Sequence, residues 1–169
     1  MDIAVLPKQT LRIRGKHATV VVNPADKVQH DAAILLGMKL PEATIEEGAV
    51  VIKGPGEYEI GGIKMTGIQT DPDVIFSLQI DGVDVLLGTI PSLEKMQHKL
   101  KEHNITTVLC NTADNASFVT ALASNVIIFY GSNAAAVSGS FGNQTTKTVQ
   151  KYQTTADKLP PEVETILLQ

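Results

Sequence analysis

Glu57 and Glu59 stand two apart in a run, Gly-Glu-Tyr-Glu-Ile, that alternates as a β-strand does. On a strand the two carboxylates share one face and Tyr58 takes the other. Such a pair can supply a general acid and a general base. The plainer reading, which we prefer, is a solvated strand face with Tyr58 packed inward. Cys110 ends an apolar run and precedes a polar loop, and strand ends are where α/β folds place ligand sites. A nucleophilic thiol needs a neighbouring base or positive charge, and the adjacent sequence offers none, so Cys110 reads as a buried structural residue. Asp31, ahead of another apolar run, completes the set of candidate catalytic groups: Glu57, Glu59, Asp31 and Cys110. A hydrolase built on them would need at least two to converge in one pocket.

The histidines do not assemble a metal site. His98 and His103 are five apart, about 140° around a helix, while His17 lies near a turn and His30 in a polar connection. All four are expected at the surface. One Cys excludes a disulfide framework or a thiolate zinc cluster. Ser92-Leu93-Glu94-Lys95 matches a Ser-x-x-Lys pattern, but no Ser-Asp-Asn or Lys-Thr-Gly accompanies it, and Ser92 reads as a helix cap. Residues 131–142 are rich in small side chains but lack the Gly-Lys-Ser/Thr of a phosphate loop. Arg12, Arg14 and Lys16 make a short basic row, expected to be a solvated strand face.

The elements that position these groups begin as hairpins. Leu11 and Ile13 alternate with Arg12 and Arg14, Gly15-Lys16 turns the chain, and 18–22 returns. Residues 32–36 and 50–53 read as short strands. Residues 57–60 and 63–68 pair across Gly61-Gly62, and 76–80 and 83–87 pair across Asp81-Gly82. Ser77 and Gln79 face away from Phe76, Leu78 and Ile80. After Gly88 the period changes. Leu93, Met96 and Leu100 form a helical stripe ending near Asn104, followed by a strand over 106–110. Asp114 or Asn115 caps a shorter helix bearing Phe118, Val119 and Leu122, and 126–130 is the next strand. Residues 131–142 read as a loop, 145–152 as an edge strand and 164–168 as a closing strand. Hairpins first, then helix–strand units, predict an α+β chain of two sheets with helices outside.

The chain has 169 residues, most simply one domain over 1–169. It is 43% hydrophobic and only 4% aromatic, without Trp, so its core must come from Val, Ile, Leu and Ala. A net charge of −4 argues against nucleic acid and acidic membranes as partners. No apolar run reaches a membrane span and no secretory leader is evident, so a cytoplasmic location is expected.

Residues 54–59, Gly-Pro-Gly-Glu-Tyr-Glu, resemble a hairpin carried by a bacterial branch of the metallo-β-lactamase-fold hydrolases. The resemblance extends over nearly the whole order of elements. It implies an αββα sandwich and one or two metal ions that activate water. It also implies a His-x-His-x-Asp-His loop after a strand like 32–36, where this chain has Gly-Met-Lys-Leu-Pro-Glu over 37–42. The family's Asp after the second Asp-Gly hairpin strand corresponds to Thr89 in Gly88-Thr89. Its His after a strand like 126–130 is replaced by Gly131-Ser132, and its Asp before Pro by Asn23. Zinc takes imidazole nitrogen or carboxylate oxygen, typically from three protein ligands plus a water. The expectation is therefore a reduced, metal-free and cofactor-free relative that is non-catalytic and acts by binding, through self-association or a protein partner. The alternative is a hydrolase of the superfamily with a non-standard active site.

Overall fold

The structure is a computed structural model, and it describes residues 1–39, 42–140 and 146–169. Leu40 and Pro41 of the 37–42 stretch, Phe141 and Gly142 of the small-residue segment, and Thr145 of the expected edge strand lie outside the described residues. Two sheets stack face to face. The six-stranded sheet is built from β1 (Asp2–Leu6), β2 (Thr10–Arg14), β3 (Thr19–Val22), β4 (Ala32–Ile34) and β5 (Val50–Ile52), with β13 (Lys151–Gln153) beside β1. The eight-stranded sheet runs β12 (Thr146–Val149), β14 (Glu164–Leu168), β11 (Val126–Tyr130), β10 (Ile105–Leu109), β9 (Val83–Thr89), β8 (Val74–Ile80), β7 (Ile63–Gln69), β6 (Gly56–Ile60). Counts of strands refer to the described residues.

The alternation read from the sequence sets the layers. Ile3, Leu11, Ile13, Val20, Val22 and Ile34 of the first sheet meet Met65, Phe76, Leu78, Val85, Ile128 and Ile166 of the second in one core. Each such side chain contributes about 1.5–3 kcal/mol on full burial, which is how a chain with few aromatics holds its sheets together. A second cluster lies on the outer face of the eight-stranded sheet. There Leu86, Val108, Ile127 and Phe129 pack against Ile90 and Leu93 of α1 (Ile90–Met96), Val119 and Leu122 of a 3-10 segment, Ser117–Leu122, and Ala134 and Val137 of α2 (Ala134–Gly139).

The hairpins expected at Gly15-Lys16, Gly61-Gly62 and Asp81-Gly82 form. The later strands are parallel, with β10 between β9 and β11 and β14 beside β11. Other expectations are corrected. Helix α1 ends at Met96 rather than near Asn104, whose Oδ1 instead accepts the Asp84 N–H at 2.9 Å. Thr89, not Ser92, is the N-cap; Ser92 is its partner in a capping box. The second helix is a 3-10 segment, with the Asn115 Oδ1 accepting from Ser117 N–H. The expected loop after Gly131 contains α2. The expected single edge strand is two strands, β12 and β13, in different sheets on either side of Gln150. Strand β1 was not expected from the sequence.

Candidate functional site

Two regions bear on chemistry: the rim of strand ends and an open face of the eight-stranded sheet. At the rim, β3 and β4 are parallel, as are β9, β10 and β11. A cavity of about 330 Å³ joins Leu35, Gly37 and Met38 after β4 to Pro72, Asp73 and Val74, where β8 begins beside the end of β9.

Each rim position singled out in the sequence carries a backbone task. Asn23 holds φ 51, and its side-chain amide donates to the Leu36 carbonyl and accepts the Leu36 N–H, both at 2.8 Å. It thereby ties the end of β3 to the end of β4. Thr89 and Ser92 cap α1 reciprocally: the Thr89 Oγ1 accepts from Ser92 N–H at 3.4 Å and the Ser92 Oγ from Thr89 N–H at 3.0 Å. Gly88 lets that helix sit close, since a Cβ there would lie 2.6 Å from Leu93 Cγ. Gly131 has φ 113, and a Cβ on it would lie 2.7 Å from the Cys110 carbonyl oxygen. That carbonyl accepts the Asn133 N–H at 2.9 Å. An amide, two hydroxyls and two glycines supply neither the imidazole nor the carboxylate ligands zinc requires. Among the described residues no group of three or more His, Cys, Asp or Glu side chains is placed to hold a metal ion. Among the described residues the donors at the rim do not fit a zinc centre.

The open face lies on the other surface of the eight-stranded sheet. Strand register sets two rows across β6 to β9: Glu59, Lys64, Gln79, Asp84 and Glu57, Thr66, Ser77, Leu86. Glu57 and Glu59 are exposed on the edge strand, as the alternation implied, and both border a shallow depression of about 380 Å³. Tyr58 packs partly against the core and donates to the Gly54 carbonyl at 3.2 Å. Asp31 lies just before β4 of the six-stranded sheet, exposed, with Oδ2 accepting the Thr19 N–H at 2.8 Å. Cys110 is fully buried, its thiol donating to the Val108 carbonyl at 3.6 Å, and burial pushes the thiol up to about 12. The four candidates thus divide into the Glu57/Glu59 pair and two residues apart from it.

The histidine reading is corrected at two positions. His30 is buried, with Nδ1 donating to the Val28 carbonyl at 2.7 Å and Nε2 accepting the Glu46 N–H at 3.4 Å. His103 is also buried, at 8% exposure. Its Nδ1 lies 2.8 Å from the Lys101 carbonyl oxygen and its Nε2 lies 2.7 Å from the Ser77 Oγ. A carbonyl only accepts, so Nδ1 carries the proton and Nε2 is the acceptor for the serine hydroxyl. Burial lowers the imidazole's affinity for a second proton, outweighing the Lys101 carbonyl and the Asp84 charge. Ser77 and His103 line a cleft of about 420 Å³ whose walls also carry Lys64, Thr66, Ile68 and Leu100. The sequence marked Ser77 only as a polar strand residue. Nothing local signals that a residue 26 positions later reaches it. In the basic row, Arg12 and Arg14 lie 3.4 and 3.7 Å from the Asp2 carboxylate. Among the described residues no helix is long and apolar enough to cross a membrane.

The fold is metallo-β-lactamase-like: an α+β sandwich of two mixed sheets with few helices. It matches, with a TM-score of 0.75 and 16% identity, a crystal structure from Thermotoga maritima assigned as a Zn-dependent hydrolase of the metallo-β-lactamase superfamily. The match covers 99% of this chain and 98% of that one. At this identity the likeness establishes the fold alone. No family model matches the sequence, and no curated protein matches it significantly.

Proposed function

We propose that this chain is a metal-free relative of the metallo-β-lactamase-fold hydrolases whose strand-end rim is non-catalytic, and that it acts by binding, through self-association or a protein partner. The observation that carries this reading is the reassignment of the rim: Asn23, Thr89 and Gly131 close loops and cap a helix where a hydrolase would present ligands. A metal-free rim predicts a melting temperature unmoved by EDTA or by added zinc or manganese, because a ligand that binds the native state raises it. Sedimentation velocity over a wide concentration range tests the self-association arm. A chain that stays monomeric throughout directs the search to a different protein.

A second reading, a hydrolase with a non-standard active site, is favoured by one observation. Ser77 and His103 form a hydroxyl–imidazole pair with the imidazole fixed in its base-competent tautomer by the Lys101 carbonyl. Nucleophile, base and orienting acceptor in hydrogen-bond sequence are the parts of an activated serine.

A further inference from the structure

We infer that the cleft on the outer face of β7 and β8 is an esterolytic site for short-chain carboxylic esters, with Ser77 as nucleophile and His103 as its general base. This rests on the second reading above and adds the substrate class to it. The site lies apart from the strand-end rim, on the opposite surface of the eight-stranded sheet from the inter-sheet core, so it requires nothing of the superfamily's metal position.

The geometry supplies each part. The Ser77 Oγ lies 2.7 Å from His103 Nε2, within reach for direct proton transfer. The ring is held from its far side by the Lys101 carbonyl, 2.8 Å from Nδ1, so the accepting lone pair stays aimed at Ser77. Burial disfavours the imidazolium, so near neutral pH the ring is in the unprotonated form that can accept the serine proton. Thr66 stands directly opposite Ser77 on β7, and Lys64 one position along the same face, so a hydroxyl and an ammonium share the cleft with Ser77 and could stabilise a developing oxyanion. Ile68 and Leu100 give the cleft an apolar wall. At about 420 Å³ the space suits a group of small-molecule size.

The reaction balances with water as co-reactant. The Ser77 oxygen bonds to the ester carbonyl carbon while its proton passes to His103 Nε2. Collapse breaks the carbon–oxygen bond to the alcohol, which leaves with that proton. Water then attacks the acyl-serine, giving its proton to Nε2. The acyl–Oγ bond breaks, Ser77 recovers a proton from the imidazolium, and the carboxylic acid departs.

The test uses the full chain with two probes. An alkyl fluorophosphonate is followed by intact mass and peptide mapping, and p-nitrophenyl acetate by nitrophenol release and acetyl adduct. The expected result is one phosphonyl group on Ser77, formed about 100-fold more slowly in His103→Gln, with a transient acetyl group on the same serine. Absence of any adduct on Ser77 in the unsubstituted chain overturns both this inference and the second reading. Phosphonylation of Ser77 without acetyl transfer keeps the activated serine and overturns the ester assignment. A merely structural Ser77–His103 bond yields neither adduct, and mapping the unsubstituted chain makes the answer independent of how any variant folds.

Discussion

The side-chain amide of Asn23 bonds the backbone of Leu36 twice, donating from Nδ2 to its carbonyl and accepting its N–H through Oδ1, each at 2.8 Å. An aspartate is nearly the same shape but has no donor, and it sets a carboxylate oxygen against the Leu36 carbonyl. Asn23→Asp is therefore expected to destabilise the chain by about 1–3 kcal/mol, the cost of leaving a partly buried acceptor unpaired. Urea denaturation at neutral pH measures it. An unchanged midpoint would mean that the rim tolerates a carboxylate at this position.

Gly131 offers an independent reading of the same rim. A methyl group there meets the Cys110 carbonyl at 2.7 Å, on a backbone with φ 113 that side chains rarely adopt. Gly131→Ala should cost roughly 1–3 kcal/mol from backbone strain, with the clash in addition. Thermal unfolding reports the loss.

Cys110 is expected to be inert while the chain is folded. With the thiol buried and raised to about 12, the thiolate that reacts with disulfide reagents is scarce at pH 8. Labelling by an aromatic disulfide reagent should then proceed at the rate of global unfolding and become rapid in denaturant. Fast labelling in buffer alone would place the thiol on an accessible surface.

His103 gives the pH dependence a definite sign. Its folded-state affinity for a proton is lowered from the ordinary value of 6.5, first by burial. The unfolded chain therefore protonates first as pH falls. The stability linked to this residue is fully present above about pH 6.5 and is lost progressively below it. Asp84 and Glu102, with Lys64, Lys99 and Lys101, border the same cleft. Comparison with His103→Gln isolates the histidine. The substituted chain should lose less stability between pH 7.5 and pH 5 than the unsubstituted one, by denaturant titration at both values.

Hairpins were legible because their signals are local. Asp81-Gly82 and Gly61-Gly62 mark turns, and the period-two pattern on either side sets which face is buried. The passage from β12 to β13 left only a faint mark: Val149 and Tyr152 are three apart, out of phase for a single strand, where the chain leaves one sheet for the other. Helix α2 left one too, three consecutive alanines at 134–136, but their small side chains blend with the flanking glycines and serines. The rim's ligand positions could be located only through the resemblance. What Asn23, Thr89 and Gly131 do instead emerged from their hydrogen bonds and close approaches. The Ser77–His103 pair depends on the segment after α1 folding back over β8, a long-range contact that residue types alone do not encode.

Calorimetric titration of zinc into the chelator-treated, full-length chain tests the central claim most directly. A rim that presents the Asn23 amide, the capping Thr89 and the crowded Gly131 predicts no stoichiometric heat and no tight binding. A saturable event with one or two zinc ions per chain, abolished by substitutions at the rim, would contradict it.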